Sequence, residues 1–195
     1  AEALLWPAIS ALVADHPALK VELNVESRFT DIVAERFDAG VRLGESLEAD
    51  MIAVRIGPDM RMALVAAPGH VARHGLPAHP QELTRHACIN LRFQTLGNLY
   101  AWEFAKDGRA LTVRVEGPLI FNTAPLCRAA ALAGHGWAYL PEDHLTADIA
   151  EGRLIRALPD WCPAFAGYHL YYPSRRQMSP ALQLVIDRLR WRGAS

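Results

Sequence analysis

Residues 120–141 read I-F-N-T-A-P-L-C-R-A-A-A-L-A-G-H-G-W-A-Y-L-P. Leu119, Ile120 and Phe121 end a strand, and Asn122 and Thr123 are residue types that cap helix N-termini. Pro125 falls in the first turn, where its missing N–H is no loss, and an Ala/Leu-rich helix follows. Gly134 and Gly136 offer the left-handed conformation that ends a helix, and Trp137 to Leu140 resumes an apolar strand. A strand that runs straight into a helix leaves backbone N–H groups aimed at the strand's carboxyl edge. Open α/β sheets bind ligands at that edge, and the positive end of the helix favours anions there. The stretch therefore predicts an α/β fold with a small-molecule pocket.

The composition fits a soluble globular chain. Of 195 residues, 51% are hydrophobic and 21% charged, with 20 basic against 21 acidic residues and a net charge of −1. A nucleic-acid binder carries a basic excess or stripe. Here only Arg175-Arg176 and Arg188, Arg190 and Arg192 cluster, beside a helix that can use them as solvated charge. Cys88, Cys127 and Cys162 are widely spaced and odd in number, which argues against a disulfide framework and for a reducing compartment. No apolar run reaches the roughly 18 residues of a membrane span, and no signal peptide is visible. The opening Ala1-Glu2, without Met, is expected of a processed chain or a piece of a longer one.

Outward from the central stretch, Leu5, Ala8, Ile9, Leu12 and Val13 have the spacing of an amphipathic helix closed by His16-Pro17. Residues 20–26 alternate, Val21, Leu23 and Val25 against Lys20, Glu22, Asn24 and Glu26, and predict a half-buried strand. Thr30 is expected to cap a helix carrying Ile32, Val33 and Phe37 and ended by Gly40. Strands are expected at 41–43, 51–56 and 61–67, the last two joined by Gly57-Pro58-Asp59. This alternation argues for βαβ units and a largely parallel sheet. Short helical pieces at 70–86 precede a strand at 88–91, and Asp107-Gly108 predicts a hairpin between 102–106 and 111–115. A polar helix to about Ala150, strands at 154–158 and 168–172, and a last helix bearing Leu182, Val185, Ile186 and Leu189 complete the chain. Irregular junctions near 67–69 and 161–167 suit one lobe inserted into another through two hinge crossovers.

His70 and His74, with His79, His86 and Cys88, raise the question of a metal. Gly75, Pro77 and Pro80 break the spacing a closed site needs, so these are expected to be surface histidines. Gly134-His135-Gly136 follows its helix and lacks a third glycine, so it is a C-cap and no dinucleotide fingerprint. Cys127 lies near a helix N-terminus, where a lowered pKa is conceivable, but packing is the better reading of a free cysteine beside Leu126 and Ala130. Glu45, Glu48, Asp50, Glu142 and Asp143 read as solvated or capping charges. What remains is a binding constellation of Ser27, Arg28 and Thr30, Arg42 to Gly44, and Asn122 with Thr123, suited to holding a carboxylate. Capping accounts equally well for Thr30, Asn122 and Thr123, and the two roles are compatible.

Several segments together resemble the effector-binding domain of LysR-type transcriptional regulators. They are 12–25 (LVADHPALKVELNV), 37–45 (FDAGVRLGE), 65–83 (VAAPGHVARHGLPAHPQEL), 128–141 (RAAALAGHGWAYLP) and 168–189 (YHLYYPSRRQMSPALQLVIDRL). The resemblance implies a two-lobe fold like the type-2 periplasmic binding proteins, each lobe a mainly parallel sheet flanked by helices. Lobe I would be 1–67 plus 168–195, with its first strand missing, and lobe II 68–167. A small effector would sit in the interlobe cleft, with Ser27, Arg28, Thr30, Arg42, Gly44, Phe93, Asn122, Thr123 and Phe165 assigned to it. Antiparallel dimers would pair the helix at 4–13 with the partner's helix at 124–133, through Leu5, Ile9, Leu12, Leu126 and Ala130, and tetramers would form in the full-length protein. Promoter DNA would be bound only by an N-terminal winged helix-turn-helix domain that this chain lacks. The implied protein is cytoplasmic, without cofactor, metal or catalytic residue. The alternative is a stand-alone periplasmic solute-binding protein for a transporter. An enzyme ranks third, because no nucleophile–base pair or metal set emerges.

Overall fold

The computed structural model describes residues 1–26, 31–44, 50–92, 98–174 and 178–193. In chain order its elements are α1 (Leu5–Asp15), β1 (Gly40–Leu43), β2 (Met51–Arg55), β3 (Met60–Ala66), α2 (Pro68–His74), β4 (Ile89–Leu91), β5 (Trp102–Lys106), β6 (Arg109–Val113), β7 (Leu119–Phe121), α3 (Ala124–Leu132), β8 (Ala138–Pro141), α4 (Thr146–Ala150), β9 (Ile155–Ala157), β10 (Ala164–Phe165), β11 (Tyr168–Pro173) and α5 (Pro180–Leu189). The chain divides into two compact units, Ala1–Asp59 with Ala166–Ser195 and Met60–Phe165.

In the first unit β11 lies between β1 and β2 and is antiparallel to both. Gly40 sits opposite Tyr171, and a Cβ there would fall 2.3 Å from the outer end of the ring, so a side chain at this position would have to displace it. Val54, Ile56, Leu170 and Tyr172 pack against Leu182, Ile186 and Leu189 of α5, with Leu5 and Ala8 of α1 at the margin. The i, i+4, i+7 spacing in α5 puts its three leucine and isoleucine side chains on one stripe. Its first turn is held by Ser179, whose Oγ accepts from Leu182 N at 3.1 Å. In α1, Ile9 and Leu12 are buried as the periodicity predicts, and His16 N closes the helix on Leu12 O at 3.0 Å.

Two expectations fail in this unit. Residues 20–26 are not a strand, and Leu23 and Val25 are 43% and 74% exposed. Alternation fits a pleat, but a strand also needs a neighbour for its backbone groups, and among the described residues none pairs with this segment. The helix expected after Thr30 shrinks to a single turn. Asp31 caps it, its Oδ1 accepting from Val33 N and Ala34 N at 2.9 and 3.1 Å. Arg36, at φ +61°, ends it well before Gly40, and Phe37 N bonds back to Ile32 O at 2.9 Å.

The second unit is built on β3, which is buried on both faces. Leu64 and Ala66 enter one core with Leu83, Trp102, Phe104, Trp137 and Tyr139, while Ala63 and Val65 enter another with Ile89, Cys127, Ala131 and Leu140. The sequence placed β3 in the first lobe. Its antiparallel partners β8, β9 and β10 all belong to the second unit, so the first crossover falls at 59/60 and not at 67–69. The second lies at 165/166.

The sheets are also less parallel than expected. Parallel pairing is confined to β4 with β7 and to the bridge between Cys88 and Trp137, which leads into β8; every other described ladder is antiparallel. The physical reason is connection. Parallel strands need a crossover of a dozen or more residues, and here β4 reaches β7 by way of the β5–β6 hairpin, while the remaining pairs are joined antiparallel. The hairpin β5–β6 forms where Asp107-Gly108 predicts it, with φ +52° and +74° as a tight two-residue turn demands.

One interaction in this unit has no counterpart in the sequence reading. Asp148, taken as part of a polar helix, is fully buried. Its carboxylate receives Nε and Nη2 of Arg128 at 2.5 and 2.9 Å and Nε and Nη2 of Arg153 at 3.0 and 2.6 Å. The Arg128 hydrogen bonds hold its pKa below the usual carboxylate range, against the opposing effect of burial. Arg128 belongs to α3, so this carboxylate ties α3 to α4.

Candidate functional site

The pairing of β4 with β7 aligns Ile89 with Leu119, Asn90 with Ile120 and Leu91 with Phe121. Because the strands are parallel, both deliver their next residues to one edge. Arg92 follows β4, its N–H donating to Phe121 O at 2.7 Å, and Asn122 and Thr123 follow β7. The odd-numbered positions of both strands pack against α3, together with Cys127, Ala130 and Ala131. This apolar seam fixes the start of α3 over the strand ends.

Thr123 occupies the N-cap position with extended dihedrals of −137° and 140°, and Pro125 lies in the first turn, as the residue types predict. The hydroxyl, however, makes no capping hydrogen bond, and no acidic residue lies in the first turn. Asn122 and Thr123 are both exposed. The positive end of α3 is thus left uncompensated by the helix's own first turn, with two polar side chains beside it. Gly134, at φ +79°, ends the helix, and His135 N bonds back to Ala130 O at 3.1 Å.

The other assigned residues distribute as follows. Arg42 lies on β1 with its guanidinium 5.0 Å from the centre of the Tyr171 ring. Gly44 N donates to Gly167 O at 3.2 Å, and a Cβ on Gly44 would meet the His169 ring at 2.7 Å, so close packing accounts for that glycine. Phe165 lies on β10, paired with Met60 beside the second crossover. Ser27, Arg28, Thr30 and Phe93 lie outside the described residues, as do Glu45, Glu48, Arg175 and Arg176. The structure therefore brings Asn122 and Thr123 together in the second unit and Arg42 and Gly44 together in the first. Arg92, which shares the edge with Asn122, escaped the sequence reading. Its only local signal is a charged residue directly after an apolar strand.

Of the five residues assigned to a dimer contact, Ile9, Leu12 and Ala130 are buried within the chain itself. Leu126 is 49% exposed and Leu5 half-buried, while Trp6, at 59% exposed, and Val13, at 38%, are large apolar side chains that α1 presents outward. Periodicity identifies a buried face, but not whether the chain's own core or a partner buries it.

The histidines are not all surface residues. His70 is buried, its ring 4.6 Å from that of His74 and edge-on to Trp137 at 6.2 Å. Burial lowers its pKa, with the nearby His74 adding to the effect. His79 caps the 3-10 turn Pro80–Arg85, its Nδ1 accepting from Gln81 N at 3.3 Å. Among the described residues no group of three or more His, Cys, Asp or Glu could hold a metal ion. All three cysteines are buried free thiols. Burial pushes Cys127 up to about 11 and Cys88 up to about 12, opposite to the lowered pKa that a helix N-terminus could have produced. Cys127 is a packing residue. No helix among the described residues is long and apolar enough to cross a membrane.

Comparison with known proteins bears on this arrangement. A family model for the LysR substrate binding domain matches residues 1–193. A putative transcriptional regulator of Pseudomonas aeruginosa is 55% identical over 188 residues, covering 96% of this chain and 61% of that protein. The HTH-type transcriptional regulator PgrR of Escherichia coli is 45% identical over 194 residues, covering 100% of this chain and 65% of its own. The chain thus spans somewhat under two thirds of the length of these relatives. Among solved structures, the regulatory domain of AphB from Vibrio vulnificus superposes with a TM-score of 0.79 at 25% identity, covering 95% of this chain and 90% of that one. The regulatory domain of CrgA, a LysR-type regulator from Neisseria meningitidis, gives 0.75 at 24% identity, with the same coverage. The fold is accordingly the two-lobe, periplasmic-binding-protein-like fold of such regulatory domains. These relatives are named as transcriptional regulators, which does not favour the solute-binding alternative. The chain belongs to the LysR substrate binding domain family, as a ligand-sensing regulatory domain.

Proposed function

We propose that this domain senses a small carboxylate-bearing effector, seated at the carboxyl edge of β4 and β7 over the N-terminus of α3. One observation carries the reading. Thr123 stands at the N-cap, yet its hydroxyl is not used as a cap, and the first turn of α3 holds no acid. An exposed helix N-terminus favours an anion by about 0.3–1 kcal/mol, and more where the ligand is enclosed. Asn122 and Thr123 supply the neutral hydrogen bonds, and Ser27, Arg28, Thr30, Arg42, Phe93 and Phe165 remain assigned to the same ligand.

The effector acts by shifting the balance between arrangements of the lobes. In a longer protein that carries an N-terminal winged helix-turn-helix, this shift changes how promoter DNA is held. The protein works in the cytoplasm as a homodimer, and as a tetramer at full length.

The test is a calorimetric titration of wild type and Thr123→Ala with a panel of small carboxylates, matched to thermal unfolding of both. Affinity for the binding carboxylate is expected to fall roughly fivefold or more in the variant, equivalent to about 1 kcal/mol. The unfolding midpoint should scarcely move. The reverse pattern, intact binding with lost stability, makes Thr123 a cap and removes the assignment.

A further inference from the structure

Three histidines gather where α2 meets the turn between α3 and β8. His70 is the one buried residue of α2, at 3% exposed. His74, one turn further on, is exposed, with its ring 4.6 Å from that of His70. His86, half-buried, follows the 3-10 turn Pro80–Arg85. His70 and His86 both stand edge-on to Trp137, at 6.2 and 6.3 Å. Trp137 is fully buried and fixed in place: its N–H donates to Ala87 O at 2.9 Å, and its carbonyl accepts from Ile89 N at 2.8 Å. Gly136 is held as closely, since a Cβ there would meet Ala87 O at 2.5 Å.

The charged and titratable groups that act on His70 are His74 and Arg73 from its own helix and His86 from the segment before β4, all of them basic. Burial, with His74 next, lowers the His70 pKa below its ordinary 6.5, against the opposing pull of the Gly134 carbonyl on the α3–β8 turn. Among the described residues no carboxylate forms an ion pair with any of the three histidines. Cys88, Tyr139 and Cys162, the titratable groups of the core around Trp137, are raised by burial and stay neutral. A proton on His70 therefore places a positive charge out of water and beside positive neighbours.

We propose that α2 is an acid-released latch: once His70 is protonated, its ring leaves its place beside Trp137, and α2 lifts from the turn between α3 and β8. The helix is suited to release. It has seven residues and no side-chain cap, and nothing else in it is buried to hold it down. The sign of the effect follows from the neighbours. With the latch closed His70 holds its proton less well than with the latch open. The closed state is thus fully favoured above about pH 6.5 and loses that advantage as pH falls from there through the closed-state value. Because α3 ends on this turn, acid loosens the carboxyl end of that helix. The latch requires neither a ligand at the α3 seat nor a partner chain.

Amide hydrogen exchange of the 195-residue chain at about pH 7.5 and about pH 5, corrected for the intrinsic rates, reads the latch directly. The N–H groups of Val71 and Gly75 bond to Ala67 O and Val71 O. Their protection is expected to fall roughly threefold or more in acid, while protection in α5 holds. His70→Phe keeps an aromatic ring and removes the charge, so its α2 should be equally protected at both pH values. Independently of any variant, the wild-type His70 ring, followed by its carbon-bound proton signals, should titrate below 6.5. Protection of α2 unchanged in acid, an equal fall in His70→Phe, or a His70 ring titrating at or above 6.5 would each overturn the proposal.

Discussion

Asp148 shows how one charge can order two elements. Its carboxylate is fully buried, while its partners Arg128 and Arg153 reach out to half-exposed positions. Asp148→Asn keeps the shape but removes the charge, leaving two guanidinium groups facing a neutral amide. The expected loss is about 2–3 kcal/mol, below the full cost of breaking a wholly buried pair because solvent still reaches both arginines. Denaturant unfolding of the two proteins measures it. The pH dependence has a definite sign. The folded pKa lies below the unfolded value of about 3.9, so the stabilisation is complete above that value and disappears as pH falls through the folded one. The difference in unfolding midpoint between wild type and Asp148→Asn should therefore be constant near neutrality and shrink in acid. Nothing in the local sequence T-A-D-I-A marks Asp148 as buried. Its partners come from 20 residues before it and 5 after, and only packing brings them together.

Helix starts and turns are the most local of the elements, and two similar starts behave differently here. Ser179 Oγ accepts from Leu182 N at the head of α5, whereas Thr123 makes no such bond at the head of α3. Ser179→Ala should thus lower stability by about 1 kcal/mol, while Thr123→Ala should change it by only a few tenths. Thermal unfolding of the pair distinguishes a working cap from a free hydroxyl. In the β5–β6 hairpin, Gly108 holds φ +74°, which a side chain adopts only with strain. Gly108→Ala should cost about 1 kcal/mol, and Gly108→Asn less, since asparagine tolerates that conformation better. The hairpin was legible because its turn chemistry is contained in two residues. Residues 20–26 show the opposite case: their alternation is as clear as that of any strand in the chain, yet the segment stands without a ladder among the described residues.

At the scale of the molecule, the proposed dimer rests on what α1 and α3 present outward. Trp6 and Leu126 are exposed, whereas Ile9, Leu12 and Ala130 already serve the chain's own core. Trp6→Glu and Leu126→Glu should each shift a dimer toward monomer in sedimentation without lowering the unfolding midpoint. Ile9→Glu should instead unfold the chain. A wild-type monomer across micromolar concentrations would count against the pairing. The family and its two-lobe fold were legible from ordered segments spread over most of the chain, and so were α1, α5, the hairpin and the strand-to-helix turn at Thr123. Those features depend on side-chain period, caps and turn residues, whose causes lie within a few positions of one another. Tertiary structure alone decided that β3 joins the second unit, that β11 returns antiparallel between β1 and β2, and that Asp148 and Asn90 are buried. Each depends on which distant segments meet, and a strand or a carboxylate carries no local mark of the partner that will cover it.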